Sequence, residues 1–340
     1  MPLQHYLRLL PHVGPKREQA LLLDGCARWV DIINASSPRG GLDLFAWDEM
    51  RAAAEQGLRA LQADDIAFFT ARLPPLEQWR VLAHWFGQAS YFDIETSGLD
   101  ADSIVTLVCC FHGGQPLRFL AGENMDDFLE LLDEVKLLVS FNGASFDVPR
   151  VLDRFHIPEL PCPHIDLRWL CHHAGWRGGL KKIEREWGLR RPPDLEGVGG
   201  AEAVWLWQAW SEKRDEQARR TLERYCSADA AMLVLLAGRL CELKGSPVQT
   251  PAEAELWRLI HEALPDLGRP AIAAPERLAQ PIRERPPVVS ADLFSIAEMV
   301  GSTEGLSRAE KQARLRERWR QHCGAASPGA AGVPPAPTSL

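Results

Sequence analysis

Phe92-Asp93-Ile94-Glu95-Thr96-Ser97-Gly98-Leu99 is the stretch on which the reading of this 340-residue chain turns. Side chains two apart on a strand share a face, so Asp93 and Glu95 stand side by side, with Phe92 and Ile94 on the other face. Two like charges that close repel each other. They also lose hydration without gaining a partner, unless a cation lies between them. An edge strand with its acids in water fits the same pattern, and this segment alone leaves the two readings level.

Two more segments supply acids. Phe141-Asn142-Gly143-Ala144-Ser145-Phe146-Asp147 follows a buried-type strand, Leu137–Phe141, and sets Asp147 in the first turn of a helix over Ala144–Phe155. An acid there also suits the helix dipole. In Tyr225-Cys226-Ser227-Ala228-Asp229, residues four apart on a helix share a face, so the phenol and the carboxylate project together. The chain has three tyrosines, so one falling here is informative, although for this pair alone a core Tyr beside a surface Asp is the simpler reading. Taken together, four carboxylates match the charge of two divalent ions. Such ions, about 3.5–4 Å apart, clamp the attacking and leaving oxygens of a phosphoryl displacement. Mg²⁺ favours carboxylate, phosphate and water oxygens.

The flanking pattern fits an α/β domain over residues 88–242. Ser90–Glu95, Ile104–Phe111 and Pro116–Leu120 read as strands, with Gly113-Gly114 as a turn. Met125–Glu134 reads as a helix, and a short strand is expected at His164-Ile165-Asp166. Helices follow near 167–174, 179–187, 201–212 and 214–241. Residues 1–87 read as a helical N-terminal region. Residues 243–340 read as a Pro/Ala-rich, largely disordered tail with short helices at Asp292–Val300 and Ser307–Gln321.

Composition narrows the class. Hydrophobic residues are 46% and charged residues 25%, which excludes a wholly disordered chain, a collagen and a disulfide-dense toxin. No apolar run is long enough to span a bilayer and no secretory signal is expected. The eight scattered cysteines then imply reduced thiols and a cytoplasmic protein. The net charge is −8, yet residues 88–135 alone hold ten acids and one base, while residues 168–191 hold seven bases and two acids. An acidic site beside a basic rim is what metal-dependent chemistry on a phosphodiester needs.

The order of these motifs resembles the DEDDy branch of the DnaQ-like 3′–5′ exonucleases. It is similar to their stand-alone YprB-like group and to the proofreading domains of B-family polymerases. The resemblance implies a ribonuclease-H-like mixed sheet flanked by helices, here with a helical N-terminal extension and a flexible C-terminal tail. It implies metal-dependent hydrolysis of phosphodiester bonds from single-stranded 3′ ends of DNA or RNA, releasing 5′-mononucleotides. By position, Asp93, Glu95, Asp147 and Asp229 would hold two Mg²⁺ or Mn²⁺ ions, and Tyr225 would orient the attacking water. Thr96, Gly98 and Leu99 would lie against the terminal nucleotide, Asn142 and Phe146 would line the strand's path, and Lys181 would meet phosphate. The alternatives are a non-catalytic nucleic-acid-binding adaptor on the same fold and an exoribonuclease of the same superfamily.

Other signals are weaker. Residues 10–25 resemble a helix-hairpin-helix, with His12 where its first glycine is usual. A small helical bundle packed on the catalytic domain is the favoured reading. Cys162, His164, Cys171, His172 and His173 lack a paired C-x-x-C, so no zinc site is expected. Trp205, Trp207 and Trp210 read as core or a lid edge, and Asp166 either tunes the metal site or caps the next helix. The segment 292–300 suits docking on a protein partner as well as it suits lying on the core.

Overall fold

The structure, a computed structural model, describes residues 3–100 and 102–268. Helices α1 (Pro15–Leu23), α2 (Trp29–Asn34), α3 (Leu44–Gln62), α4 (Ile66–Arg72) and α5 (Trp79–His84) come first. Strands β1 (Ala89–Thr96), β2 (Val105–His112) and β3 (Gln115–Leu120) follow, then α6 (Asp127–Glu134), β4 (Leu137–Ser140) and α7 (Asp147–Phe155). The chain continues through β5 (His164–Asp166), α8 (Leu167–His173), α9 (Leu180–Glu186), α10 (Gly200–Lys213), α11 (Glu216–Leu243) and α12 (Glu253–Ala263).

The five strands form one mixed sheet in the order β3-β2-β1-β4-β5. β1 pairs antiparallel with β2 and parallel with β4, so the strand bearing Asp93 and Glu95 is central rather than an edge. That removes the solvated-edge reading. β2 is an almost continuous apolar run because both of its faces are covered. Gly113 and Gly114 both take positive φ, at 57° and 81°, and His112 pairs with Gln115. This is the two-residue turn whose twist matches a hairpin.

Strand alternation then divides the core. Phe92, Ile94, Val108, Cys110 and Leu138 pack with Phe128, Leu132 and Val151 beneath α6 and α7. On the other face, Leu107 and Cys109 meet Leu206, Leu222, Tyr225 and Cys226 from α10 and α11. α11 spans 28 residues, about 42 Å at 1.5 Å per residue, and is buried almost all round from Thr221 to Gly238. Its N-cap is Asp215, whose carboxylate accepts from Gln217 N and Ala218 N at 3.0 and 3.1 Å.

The N-terminal helices pack on this domain in a continuous core. Trp29, Trp47, Met50 and Phe69 share one apolar cluster with Tyr91, Val139 and the C-terminal half of α11. The segment resembling a helix-hairpin-helix has two 3-10 turns, Leu3–His5 and Leu7–Leu9, on its first side instead of a helix. His12 at its tip has φ +63° and its Nε2 lies 2.7 Å from Glu49 Oε2. An acid therefore pairs with the side chain at the tip of this hairpin.

The expected boundary of the tail at 243 falls too early. α12 docks through Leu256 and Ile260, which its amphipathic spacing turns inward, and Leu264 is buried after it. The short helices read at 292–300 and 307–321, and the tail from Cys323, lie outside the described residues. No disulfide links the seven described cysteines, all of them buried. Among the described residues no helix is long and apolar enough to cross a membrane. Trp210 is buried and Trp205 and Trp207 are half-buried beside it, consistent with the core reading.

Gly57 on α3 offers a sharp test of this packing. A Cβ there would stand 2.7 Å from Cζ3 of Trp29. That ring is fully buried, donates from Nε1 to Tyr6 O at 3.2 Å and stacks on Phe69, so it has nowhere to slide. Overpacking costs about 1–3 kcal/mol, against about 1 kcal/mol gained in helix propensity. Gly57→Ala is expected to lower the thermal midpoint by a few degrees in a melting experiment. An unchanged or raised midpoint contradicts this packing.

Candidate active site

Asp93 and Glu95 project from the central strand toward α11, on the face opposite Phe92 and Ile94. A register shift at Glu95/Thr96 marks the end of regular pairing with β2. β-bulges of this kind re-aim side chains beside functional sites. One oxygen from each of Asp93 and Glu95 and the sulfur of Cys226 lie within 4.8 Å of one another.

Asp147 arrives from the other side. The loop after β4 turns sharply, and Gly143 has to be glycine: a Cβ would overlap Ser140 Oγ and come within 2.6 Å of Ser140 Cβ. Asp147 is then the first residue of α7, and its Oδ1 accepts from Ile94 N at 3.2 Å. The carboxylate is thus pinned to the backbone between Asp93 and Glu95. The helix expected from Ala144 begins three residues later because Asn142 through Phe146 form this turn. Asp166 ties the turn down: its Oδ1 accepts from Asn142 N (2.7 Å) and Arg168 N (2.9 Å), and its Oδ2 from Ala144 N (3.1 Å). Asp166 therefore caps α8 and latches the loop at the same time.

Tyr225 and Asp229 come from the buried middle of α11. Asp229 bears on Asp93 and Glu95 electrostatically, as does Asp147, so all four acids share one field. Burial pushes Asp93 and Glu95 well above the ordinary carboxylate range, and the neighbouring acids push them further. Asp147 is pushed up to about 7, mainly by burial and against its amide hydrogen bonds. Lys181 and Arg191 act in the opposite sense on Glu95. The donor set fits hard divalent cations: clustered carboxylates, desolvated and mutually repelling, recover the lost stabilisation when such an ion is bound. Cys226 lines the cluster, but burial holds its thiol protonated well above the usual range, so carboxylates are the donors that suit such an ion.

The Tyr225 phenol is likewise raised well above its ordinary value, first by burial and then by Asp229, Glu95 and Asp93. It remains a phenol. Lys181 Nζ donates to its oxygen and to Val198 O (3.0 Å). Lys181, expected to meet phosphate, is thus tied to Tyr225, and the phenol keeps its own proton to donate.

The remaining expected residues lie at the end of β1, on the β1–β2 loop and on the turn before α7. Thr96 Oγ1 donates to Gly98 O at 2.6 Å, and Leu99 is 52% exposed on the β1–β2 loop. Arg150 on α7 grips that loop, donating to the carbonyls of Ser103 (2.7 Å), Asp100 (2.9 Å) and Leu99 (3.3 Å). Asn142 takes positive φ, 68°, and its Oδ1 accepts from Ser145 Oγ and from Arg168. Phe146 is half-buried, with Arg150 over its ring.

Two expectations are corrected in detail. Of the ten acids in 88–135, only Asp93 and Glu95 enter the cluster; the other eight are exposed. Their charge is a solvated face. In the basic stretch, Arg168, Lys181 and Arg191 reach the cluster or its rim, while Arg177, Lys182, Arg185 and Arg190 are exposed. His164 and Cys162 face β4 and the α6/α7 core, whereas Cys171 lies in the core beneath the N-terminal helices. The sequence reading missed Glu184 and the Arg191 that pairs with it, as well as Arg150. Glu184 stands seven residues before Arg191, a spacing with no regular meaning once α9 has ended.

Residues 90–241 match the family profile of the RNase H superfamily. No curated protein matches the sequence. Among solved structures, the family B DNA polymerase from the hyperthermophilic archaeon Pyrobaculum calidifontis is similar, at 15% identity and a TM-score of 0.37. The similarity covers 49% of this chain and 26% of the polymerase, so the chain spans about a quarter of that protein's length. Profile and architecture agree on an α/β, RNase-H-like fold for residues 90–241, with the acidic cluster beside the end of its central strand.

Proposed function

We propose that this protein is a metal-dependent 3′–5′ exonuclease that hydrolyses single-stranded 3′ ends of nucleic acid and releases 5′-mononucleotides. The observation that carries this reading is the meeting of Asp93, Glu95, Asp147 and Asp229, from three separate elements, in one buried field with Tyr225. The motif order resembling the DEDDy exonucleases supplies the polarity.

Two divalent ions held by these carboxylates would polarise the phosphodiester and activate water. The chain's own residues do the rest. Tyr225 keeps its proton and donates a hydrogen bond, which orients the attacking water rather than deprotonating it. Lys181 fixes the phenol's direction. Asp147, anchored on Ile94 N, holds its side of the cluster rigid. Leu99, presented by a loop that Arg150 clamps, stacks against the terminal nucleotide, and Asn142 with Phe146 guides the strand toward Arg168.

The test is incubation of 5′-labelled single-stranded DNA and RNA with Mg²⁺ or Mn²⁺. Stepwise shortening from the 3′ end is expected. Asp93→Ala and Asp229→Ala should each lower the rate by at least about a hundredfold, the scale of losing a group that stabilises transition-state charge. Undiminished metal-dependent activity in either variant contradicts the assignment, and no product from either substrate favours a non-catalytic adaptor.

The raised Asp147 carboxyl gives a second expectation, in EDTA. The native state holds this proton up to about pH 7, whereas the unfolded chain releases it near its usual 3.8. Between those values the native state binds more protons, so this group's contribution to stability falls as pH rises. Asp147→Asn cannot ionise and should show a shallower loss of stability from about pH 4 to 7 in denaturant titrations. An identical slope in wild type and variant contradicts the burial of this acid.

A further inference from the structure

Arg191 is the cation most deeply set in the acidic cluster, and neither the family resemblance nor the mechanism above assigns it a task. Its side chain is 9% exposed. Nε and Nη2 bind both oxygens of Glu184 at 2.9 and 2.6 Å, and Nη2 also donates to Asp229. The guanidinium carbon lies 5.6 Å from the centre of the Tyr225 ring. Nη1 is buried with no hydrogen-bond partner.

The backbone around it is fixed from both sides. Arg190 N donates to Glu253 Oε1 at 2.9 Å, and Arg224 on α11 grips the Asp194 carboxylate at 2.7 and 3.0 Å. A cation needed only to neutralise Asp229 would not require Glu184, which adds another buried negative charge to a cluster already rich in them. Glu184 makes sense as an aiming device. It occupies the Nε–Nη2 edge of the planar fork, which fixes the guanidinium's orientation and leaves Nη1 without an acceptor.

Formal charge supplies the acceptor's chemistry. The four cluster acids with Glu184 carry five negative charges, and Lys181 and Arg191 carry two positive ones. Two divalent ions would leave one positive charge over. A single phosphodiester oxygen brings the site to neutrality.

We propose that Arg191 is a substrate-binding residue whose Nη1 edge takes a non-bridging oxygen of the terminal phosphodiester, and that Glu184 is the positioning residue that holds it there. The proposal rests on the reading of this site as a nuclease centre.

The experiment compares two 5′-fluorescein-labelled single-stranded oligonucleotides, one with an ordinary terminal linkage and one with a neutral methylphosphonate there. Binding is followed by fluorescence anisotropy in Ca²⁺ at low temperature, with oligonucleotide length checked on a gel. Wild type should prefer the charged linkage. Arg191→Met should weaken binding of the charged oligonucleotide on the order of tenfold or more and leave the neutral one nearly unchanged, so that the preference disappears. Glu184→Gln should lower the preference partway. Arg191→Lys keeps the charge without the fork and should retain part of the preference, which decides the matter should Arg191→Met fail to fold by circular dichroism. An Arg191 variant that folds and keeps the full wild-type preference, or that weakens both oligonucleotides equally, overturns the proposal and leaves Arg191 a structural counter-ion. Wild type that neither binds nor shortens either oligonucleotide overturns the underlying reading instead.

Discussion

Like charges buried together are the constraint around which this domain is organised. Asp93, Glu95 and Asp147 are desolvated where none has a direct cationic partner strong enough to offset the loss, and burial and mutual repulsion both favour their protonated forms. A fold tolerates such a cluster only where something returns the energy. Part of the return is local: Ile94 N binds Asp147, and Arg191 binds Asp229. The remainder is the stabilisation that divalent cations would supply, and this makes the cluster read as a site rather than a defect.

The rest of the molecule holds that crowding in place. β1 is central: β4 pairs with its first half, β2 pairs along Asp93 to Glu95, and Asp147 takes Ile94 N on the other side, so Asp93 and Glu95 have little freedom to separate. α11 is wrapped by the sheet, α10, α12 and the N-terminal helices, and burial along most of its length fixes Tyr225 and Asp229 in depth and rotation. The N-terminal region therefore supports the site from behind. Its core is continuous with the back of α11, and Glu49 pairs with His12 at the tip of its hairpin. α12 extends the support, since Glu253 at its start holds Arg190 and Arg224 on α11 binds Leu264 O just beyond its end.

Much of this was legible in the chain because short-range periodicity carried it. Alternation on β1 put Asp93 and Glu95 on one face, the spacing of four put Tyr225 beside Asp229, and the glycine-bearing turn before α7 announced Asp147. These are local rules, and they hold wherever the local element forms. What remained hidden depends on long-range approach. The excess of acids in 88–135 read as one feature, yet eight of the ten face water, because the count along the chain says nothing about which face each occupies. Asp166 left two readings open, since a cap is a local matter and a latch on Asn142 is not. Glu184 and Arg191 bracket a helix end and a loop, where no period links them. The docking of α12 was obscured by the proline-rich texture around it, although Leu256 and Ile260 carry the spacing of a buried face.

Direct measurement of cation binding probes the central claim most closely. Calorimetric titration of Mn²⁺ into metal-free wild type and into Asp93→Asn and Asp229→Asn should give about two ions per chain in the wild type, and weaker or fewer ions in each variant. A wild type that binds no Mn²⁺, or variants that bind it with unchanged affinity and stoichiometry, would contradict the view that these buried acids are gathered to hold divalent cations.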